Sequence, residues 1–240
     1  MRADQYLTER GHYESRARAQ AAIKAGLVSV NGKTLKKPSE KIAEGAHVTA
    51  GLEHQWVSRG GMKLAHALEV FGISAADKIC LDVGSSTGGF TDVLIQAGAA
   101  HVYAVDVGRE QLHKRLHDHK KLTSMEGQDA RELTAAHFTQ APQLIVCDAS
   151  FISAMKVLAV PLTLAAPNAA LMTLVKPQFE VGKAGIGKGG IVKSEQAALE
   201  SLESVKDWMT AQGWTVLGTD ISPIKGGSGN TEYLLHVRKI

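Results

Sequence analysis

A doubly wound, mostly parallel α/β sheet, preceded in sequence by a small α+β unit, is the fold class this 240-residue sequence predicts. Three observations predict it. From Lys63 onward, short apolar strand patterns alternate with helical ones, the order that puts a parallel sheet between two helix layers. Before that, two short helix patterns lead into VSVNGKTL, residues 28–35, where Asn31-Gly32 marks a hairpin turn. The charge is also uneven. Residues 1–60 hold ten Lys and Arg against six Asp and Glu, whereas residues 61–240 hold 17 against 18. A basic excess confined to the first quarter points to an acidic partner there, most simply nucleic acid.

In the first unit, MRADQYLTERG puts Ala3, Tyr6 and Leu7 on one helical face, and Gly11 ends the helix. Ser15 caps SRARAQAAIKAG, in which Ala19, Ala22 and Ile23 face inward and Gly26 closes the helix. HVTA adds a short strand. Residues 1–50 form this unit, 51–62 a linker and 63–240 the sheet domain. Strands are predicted at 79–83, 101–106, 121–125, 143–148, 170–175, 214–220 and 231–238. Helices are predicted at 62–71, 88–97, 109–118, 131–138, 153–165 and 194–211.

Composition excludes several classes. Hydrophobic residues make up 44% and charged residues 21%, enough to bury a sizeable core. There is no long apolar run and no basic-then-apolar start, so neither a membrane span nor a signal peptide is expected, and the location expected is cytoplasmic. Cys80 and Cys147 sit in apolar strand-like runs and read as buried reduced thiols rather than a disulfide framework.

The first unit resembles the S4 RNA-binding domain. Arg2, Asp4, Leu7, Ser15-Arg16, Ala19, Ile23, Gly26 and Val28-Ser29-Val30-Asn31-Gly32 carry the likeness. Two short helices would present Arg2, Arg16, Arg18 and Lys24 beside a hairpin carrying Lys33, Lys36 and Lys37. Cations so placed can meet RNA phosphates across a shallow groove.

The chemistry-bearing stretch is LDVGSSTGGFTD, residues 81–92. A dinucleotide fingerprint needs G-x-G-x-x-G, and the second glycine is absent. A P-loop needs lysine where Phe90 stands. The later loop GKAGIGKGG, residues 182–190, has Gly182, Gly187 and Lys188 but Gly189 in place of Ser or Thr. What remains is an acidic strand end at Asp82, then Gly84-Ser85-Ser86-Thr87, then a helix start at Gly88-Gly89-Phe90. Glycines let a ligand approach the backbone, and helix-start N–H groups favour a carboxylate. Asp82 can face an ammonium. The next strand ends in Asp106, placed to accept from ribose hydroxyls. A ligand with an amino-acid end and a nucleoside end is S-adenosylmethionine.

DVGSSTGGFTD, AVDVG and SRGGMKL, beside the S4-like start, are similar to the hemolysin A (TlyA-type) family of ribosomal RNA 2′-O-methyltransferases, and the sheet domain resembles the wider FtsJ-like group. The resemblance spans essentially the whole chain. It implies a Rossmann-like methyltransferase sheet of seven strands, the last antiparallel. It also implies a Lys-Asp-Lys-Glu tetrad, carried by Lys63 in SRGGMKL, Asp148 in LIVCDASF, Lys176 in LMTLVKPQFE and Glu232 in GNTEYLLHV. These positions also suit an open α/β sheet, whose reactive crevice lies outside the carboxyl ends of its strands. A ribose 2′-hydroxyl must lose its proton as it attacks the sulfonium methyl. A lysine can take that proton if a second lysine nearby favours its neutral form. Lys176 is assigned as base and Lys63 as its partner, with Asp148 and Glu232 holding both. Asp148-Ala149-Ser150-Phe151 differs from the Asn/Asp-Pro-Pro-aromatic turn of base amino-methyltransferases, which favours oxygen as acceptor. Where the family shows an Arg-Thr-Asn-like string, this chain has Gly127-Gln128-Asp129. Asp129 is left to accept from the adenine amino group.

His113 and His117 fall one helical turn apart, but Lys114 and Arg115 beside them favour a solvated face over a zinc site. Trp56 and Phe179 can stack on a base or pack internally. The expected activity is S-adenosylmethionine-dependent 2′-O-methylation of ribosomal RNA, on a cytidine by family resemblance. The near-immediate S4 start favours the large subunit. A catalytically silent ribosome-assembly factor is the alternative. No amphipathic membrane stretch supports the pore formation that the word hemolysin implies.

Overall fold

Apolar residues three and four apart build the two N-terminal helices. In the computed structural model, which describes residues 1–51 and 54–240, α1 (Ala3–Glu9) buries Ala3, Tyr6 and Leu7, and α2 (Arg16–Lys24) buries Ala19, Ala22 and Ile23. Ser15 Oγ accepts from Arg18 N at 3.3 Å, satisfying one of the N–H groups left over at a helix start. Asn31 and Gly32 both have positive φ, 49° and 79°, as a twist-matched two-residue hairpin requires. They join β1 (Val28–Val30) to β2 (Lys33–Thr34), and β3 (Val48–Ala50) pairs on the other side of β1. Leu7, Ile23, Val28 and Ile42 centre this unit's core.

The chain divides into Met1–Gln55 and Trp56–Ile240. Within the stretch read as a linker, Leu52 and Glu53 lie outside the described residues, and Gly60 already opens the first helix of the second unit, α3 (Gly60–Val70).

The second unit holds the seven-stranded sheet. Its strands are β4 (Ile79–Val83), β5 (His101–Asp106), β6 (Leu122–Glu126), β7 (Leu144–Cys147), β8 (Ala170–Val175), β9 (Trp214–Ile221) and β10 (Tyr233–Lys239). The spatial order is β6-β5-β4-β7-β8-β10-β9. Pairing is parallel from β6 through β8, while β10 runs antiparallel to both neighbours. Strands β4, β7 and β8 are buried along their whole length, which is why they read as unbroken apolar runs. Alternate residues feed two cores. Leu81, Ile145 and Leu171 meet α5 (Ala154–Thr163) and α7 (Glu195–Ala211) on one face. Cys80, Leu144 and Met172 meet α3 and α4 (Gly89–Gln96) on the other. Sequence order reverses between β4 and β7, and a ligand crevice opens at such a switch point.

Two predicted helices are corrected. Residues 109–118 form turns with one 3-10 turn, Lys114–Leu116. Glu110 and Asp118 have positive φ, 56° and 57°, which breaks an α-helix at both ends, while Leu112 and Leu116 pack with Val57. His113 and His117 therefore do not share a helix face. His113 Nδ1 accepts from Arg115 N, and His117 Nε2 lies 2.9 Å from Leu112 O. Residues 131–138 split into 3-10 turns, Ala130–Glu132 and Ala135–His137, because Thr134 between them is extended. A short helix absent from the prediction, α6 (Pro177–Glu180), follows β8 directly. Among the described residues, no helix is long and apolar enough to cross a membrane.

Candidate active site

Each of the four predicted catalytic side chains owes its place to a local feature. Helix α3 turns Lys63 inward together with Gly61, Leu64 and Ala67. Trp56 lies against Gly61, where a β-carbon would come within 2.6 Å of its ring, so this tryptophan packs on the helix start. Asp148 follows the last residue of β7, and its N–H donates to Val83 O at 3.2 Å. Lys176 follows β8 with extended backbone, and Pro177 then starts α6. Tyr233 at the start of β10 pairs with Val175 at the end of β8. The antiparallel sense of β10 thereby brings Glu232 to the same sheet edge as Lys176.

The four converge on a cavity of about 630 Å³. Lys63 Nζ donates to Glu232 Oε2 at 2.6 Å and stands 3.6 Å from Asp148 Oδ2. Lys176 Nζ lies 2.7 Å from Asp148 Oδ1, out of line for a hydrogen bond, and donates to Asp148 O at 3.1 Å and Ser150 Oγ at 2.8 Å. Lys63, Lys176 and Glu232 are buried and Asp148 is half-buried. Two cations and two anions thus share one low-dielectric edge, with Asp148 between the lysines.

The glycine loop forms another wall. Gly84, Ser85, Ser86, Thr87, Gly89 and Phe90 line the cavity. Gly84 has φ +80° and packs on the next strand end, where a β-carbon would lie 2.8 Å from Ala149 Cα. Gly88, also at positive φ, caps α4, whose first-turn N–H groups have no acceptor within the helix. Asp82, Gly88 and Asp106 are not among the residues that line the cavity, and Asp82 is fully buried. Thr91 Oγ1 donates to its Oδ2 at 2.6 Å, and its Oδ1 has no hydrogen-bond partner among the described residues. Burial pushes this carboxyl up to about 7, against the lowering effect of the Thr91 bond. A buried carboxylate oxygen without a donor suits a cationic ligand group. Asp106 accepts from Ser86 N at 2.8 Å and Gly108 N at 2.7 Å, leaving further lone pairs for ribose hydroxyls. Asp129 does not reach the cavity wall. Both its oxygens engage the Arg131 guanidinium, at 2.6 Å for the closest pair, and its Oδ1 also accepts from Arg131 N at 2.9 Å, capping the turn that starts at Ala130.

In the first unit, the predicted RNA-facing cations separate into two sets. Arg2 and Arg16 reach the fully buried Asp4 at 3.1 and 2.9 Å and remain half exposed themselves. Gln20 Nε2 donates to the same carboxylate at 2.7 Å. Arg18 stands 3.7 Å from Glu14. Lys24, Lys33, Lys36 and Lys37 are exposed. Glu40 Oε1 accepts from the backbone N–H of both Lys36 and Lys37 at 2.7 Å, fixing the turn that displays them.

Ser150 was not among the residues read as functional, although its hydroxyl touches Lys176. Phe151, 91% exposed with φ +64°, and Phe179 face each other at 5.4 Å and line the cavity. The glycine-rich segment 182–190 is no phosphate loop. It is built from two 3-10 turns, and Asn230 holds it by donating to Gly190 O at 2.8 Å and accepting from Val192 N at 3.0 Å.

The family model of FtsJ-like methyltransferases matches residues 56–239, and that of the S4 domain matches residues 1–48. The chain belongs to the FtsJ-like methyltransferases. Like this family, it is an S-adenosylmethionine-dependent methyltransferase, and the unpartnered Asp82 oxygen and the glycine loop fit that cofactor. The chain is 42% identical over 239 residues to the 16S/23S rRNA (cytidine-2′-O)-methyltransferase TlyA of Mycobacterium tuberculosis, covering 99% of this chain and 89% of that one. It is 39% identical to the hemolysin A of Brachyspira hyodysenteriae, covering 98% and 99%. A solved structure from Streptococcus thermophilus that carries the word hemolysin in its name superposes with a TM-score of 0.79 at 41% identity, covering 100% of this chain and 88% of that one.

Proposed function

We propose that this FtsJ-like methyltransferase methylates the ribose 2′-oxygen of a cytidine in ribosomal RNA, with large-subunit RNA as main target and Lys176 as general base. The observation that carries the reading is the Lys63–Asp148–Lys176–Glu232 cluster at the cavity edge. The name of the Mycobacterium tuberculosis relative supports the cytidine 2′-oxygen, and the S4 unit supports RNA as partner.

Bound S-adenosylmethionine supplies an electrophilic methyl on a sulfonium. Asp82 would hold its ammonium and the α4 start its carboxylate, while Asp106 would accept from its ribose. Lys176 would take the 2′-hydroxyl proton as the oxygen attacks the methyl carbon and the carbon–sulfur bond breaks, its electron pair staying on sulfur. Lys63, anchored by Glu232, stands as a preorganised positive charge beside the developing alkoxide. Asp148 keeps both amines oriented and offsets their charge. In the first unit, Arg2, Arg16, Arg18, Lys24, Lys33, Lys36 and Lys37 grip phosphates.

Methyl-labelled cofactor offered with each ribosomal subunit, assembled and as naked RNA, tests the reading. Label in large-subunit RNA supports it. Label confined to small-subunit RNA overturns the preference for the large subunit, and no label in any RNA overturns the reading itself.

A further inference from the structure

Two chain segments, 148–154 and 176–180, are fastened to each other at three points. At one end Lys176 donates to Asp148 O and Ser150 Oγ. In the middle the Phe151 and Phe179 rings face each other. At the other end Glu180 Oε2 accepts from Ser153 Oγ at 2.6 Å, and Glu180 Oε1 accepts from Ala154 N at 2.7 Å. Ser153 sits at the cap position of α5 but makes no cap bond itself, so Glu180 satisfies that helix start from another element. Between the ends, Phe151 holds φ +64°, a left-handed backbone that a bulky side chain adopts only where its surroundings enforce it. The turn that carries Ser150 is thus held by contacts on both sides of a strained residue.

We propose that Ser150 is a positioning residue for Lys176, and that Glu180 holds the turn presenting it. This rests on the reading of Lys176 as the base. A lysine ammonium has three N–H directions. Two of them end on Asp148 O and Ser150 Oγ. The third faces Asp148 Oδ1, 2.7 Å away and out of line. When Lys176 is uncharged, two of its directions stay on Asp148 O and Ser150 Oγ, and the lone pair takes the remaining direction, which makes no hydrogen bond to Asp148 Oδ1. With cofactor bound, the acceptor O–H bond would break toward that lone pair and a third N–H bond would form, while the oxygen electron pair closes on the methyl carbon and the carbon–sulfur bond breaks, its electron pair staying on sulfur. Without the Ser150 hydroxyl the amine can rotate about its last bond, and the lone pair loses its aim. Misorientation of this kind lowers turnover rather than binding.

Ser150→Ala, Ser150→Thr, Glu180→Ala and Lys176→Ala, assayed with wild type under single-turnover and steady-state conditions, test this. Ser150→Ala is expected to lower kcat roughly ten- to a hundred-fold, with KM for RNA and cofactor affinity within about two-fold and an unchanged melting temperature. Ser150→Thr keeps the hydroxyl and is expected to recover most of the rate. Glu180→Ala is expected to lower kcat in the same direction. A Ser150→Ala enzyme with wild-type kcat, beside an inactive Lys176→Ala, would overturn the positioning role and leave the base assignment standing. An active Lys176→Ala would remove the base assignment, and this inference with it. A Ser150→Ala protein that loses cofactor binding or melts earlier would show a structural role and also overturn the proposal.

Discussion

Lys63 and Glu232 lie 169 residues apart in sequence, yet Lys63 Nζ and Glu232 Oε2 meet at 2.6 Å with both side chains buried. The contact joins the first helix of the sheet domain to its last strand. Gly226 lies so close that a β-carbon there would strike the Glu232 carboxyl. Removing one partner of a buried ion pair strands the other, at a cost of about 3–5 kcal/mol. Glu232→Ala is therefore expected to destabilise the protein toward the low end of that range, because Asp148 at 3.6 Å remains near Lys63. Lys63→Met/Glu232→Leu is expected to lose less than the two single variants summed. Urea unfolding of the three variants, read as a double-mutant cycle, checks this.

Cofactor binding is expected to be coupled to a proton at Asp82. Its carboxyl is raised to about 7 by burial, so the free protein retains a proton there below that pH. The cofactor ammonium favours the ionised form, so binding below about pH 7 expels the proton and affinity rises with pH toward about 8. The sign for stability is the opposite. A raised carboxyl binds protons in the folded state that the unfolded chain has released, so the Asp82 contribution weakens as pH rises from the ordinary carboxylate range through about 7. Titration calorimetry in buffers of different ionisation enthalpy should detect proton release at about pH 6 that fades by about pH 8.5. Asp82→Asn should abolish the release and weaken binding.

Gly84→Ala should be costly for a local reason. The backbone at φ +80° disfavours any β-carbon, and this one would lie 2.8 Å from Ala149 Cα. The left-handed conformation alone costs about 1–2 kcal/mol. The displaced Ala149 also neighbours Asp148, so loss of methyl transfer should exceed what the drop in melting temperature explains. Thermal unfolding and the transfer rate measured on one preparation compare the two.

In the first unit, Asp4 organises cations expected to touch RNA. Its carboxyl is held far below the ordinary range, first by the Arg2 hydrogen bond, with Arg16 and Gln20 adding to it. That contribution to stability is present above the ordinary carboxylate range and is lost as pH falls below it. Asp4→Ala should destabilise the unit and weaken RNA binding together. Lys33→Ala should leave stability unchanged and reduce the slope of log affinity against log salt by about one phosphate contact. Filter binding across a salt series separates the two behaviours.

The seven strands were legible because central parallel strands are buried on both faces and leave uninterrupted apolar runs, as in ICLDV and ALMTLV. The antiparallel β10 followed from family resemblance rather than from its pattern. Residues 109–118 misled because Leu112 and Leu116 have helical spacing, yet their task is to pack with Val57 and close over Gly88, where a β-carbon would reach both leucines. Lys63, Asp148, Lys176 and Glu232 stood in recognisable strings. The Ser150 and Glu180 contacts left no such trace, since each spans 26 or 27 residues between irregular segments. The pairing of Arg2 and Arg16 with Asp4 had a faint signal: an aspartate on the same buried helix face as Ala3 and Leu7 requires charged or hydrogen-bonding partners.

The most direct measurement is the chemical position of the transferred methyl group. Ribosomal RNA from cells lacking the modification, treated with the protein and labelled cofactor, is digested to nucleosides and also cleaved with alkali. A single 2′-O-methylcytidine, resistant to alkaline cleavage and absent with Lys176→Ala, is the predicted result. A methyl group on a base, or undiminished ribose methylation by Lys176→Ala, would contradict it.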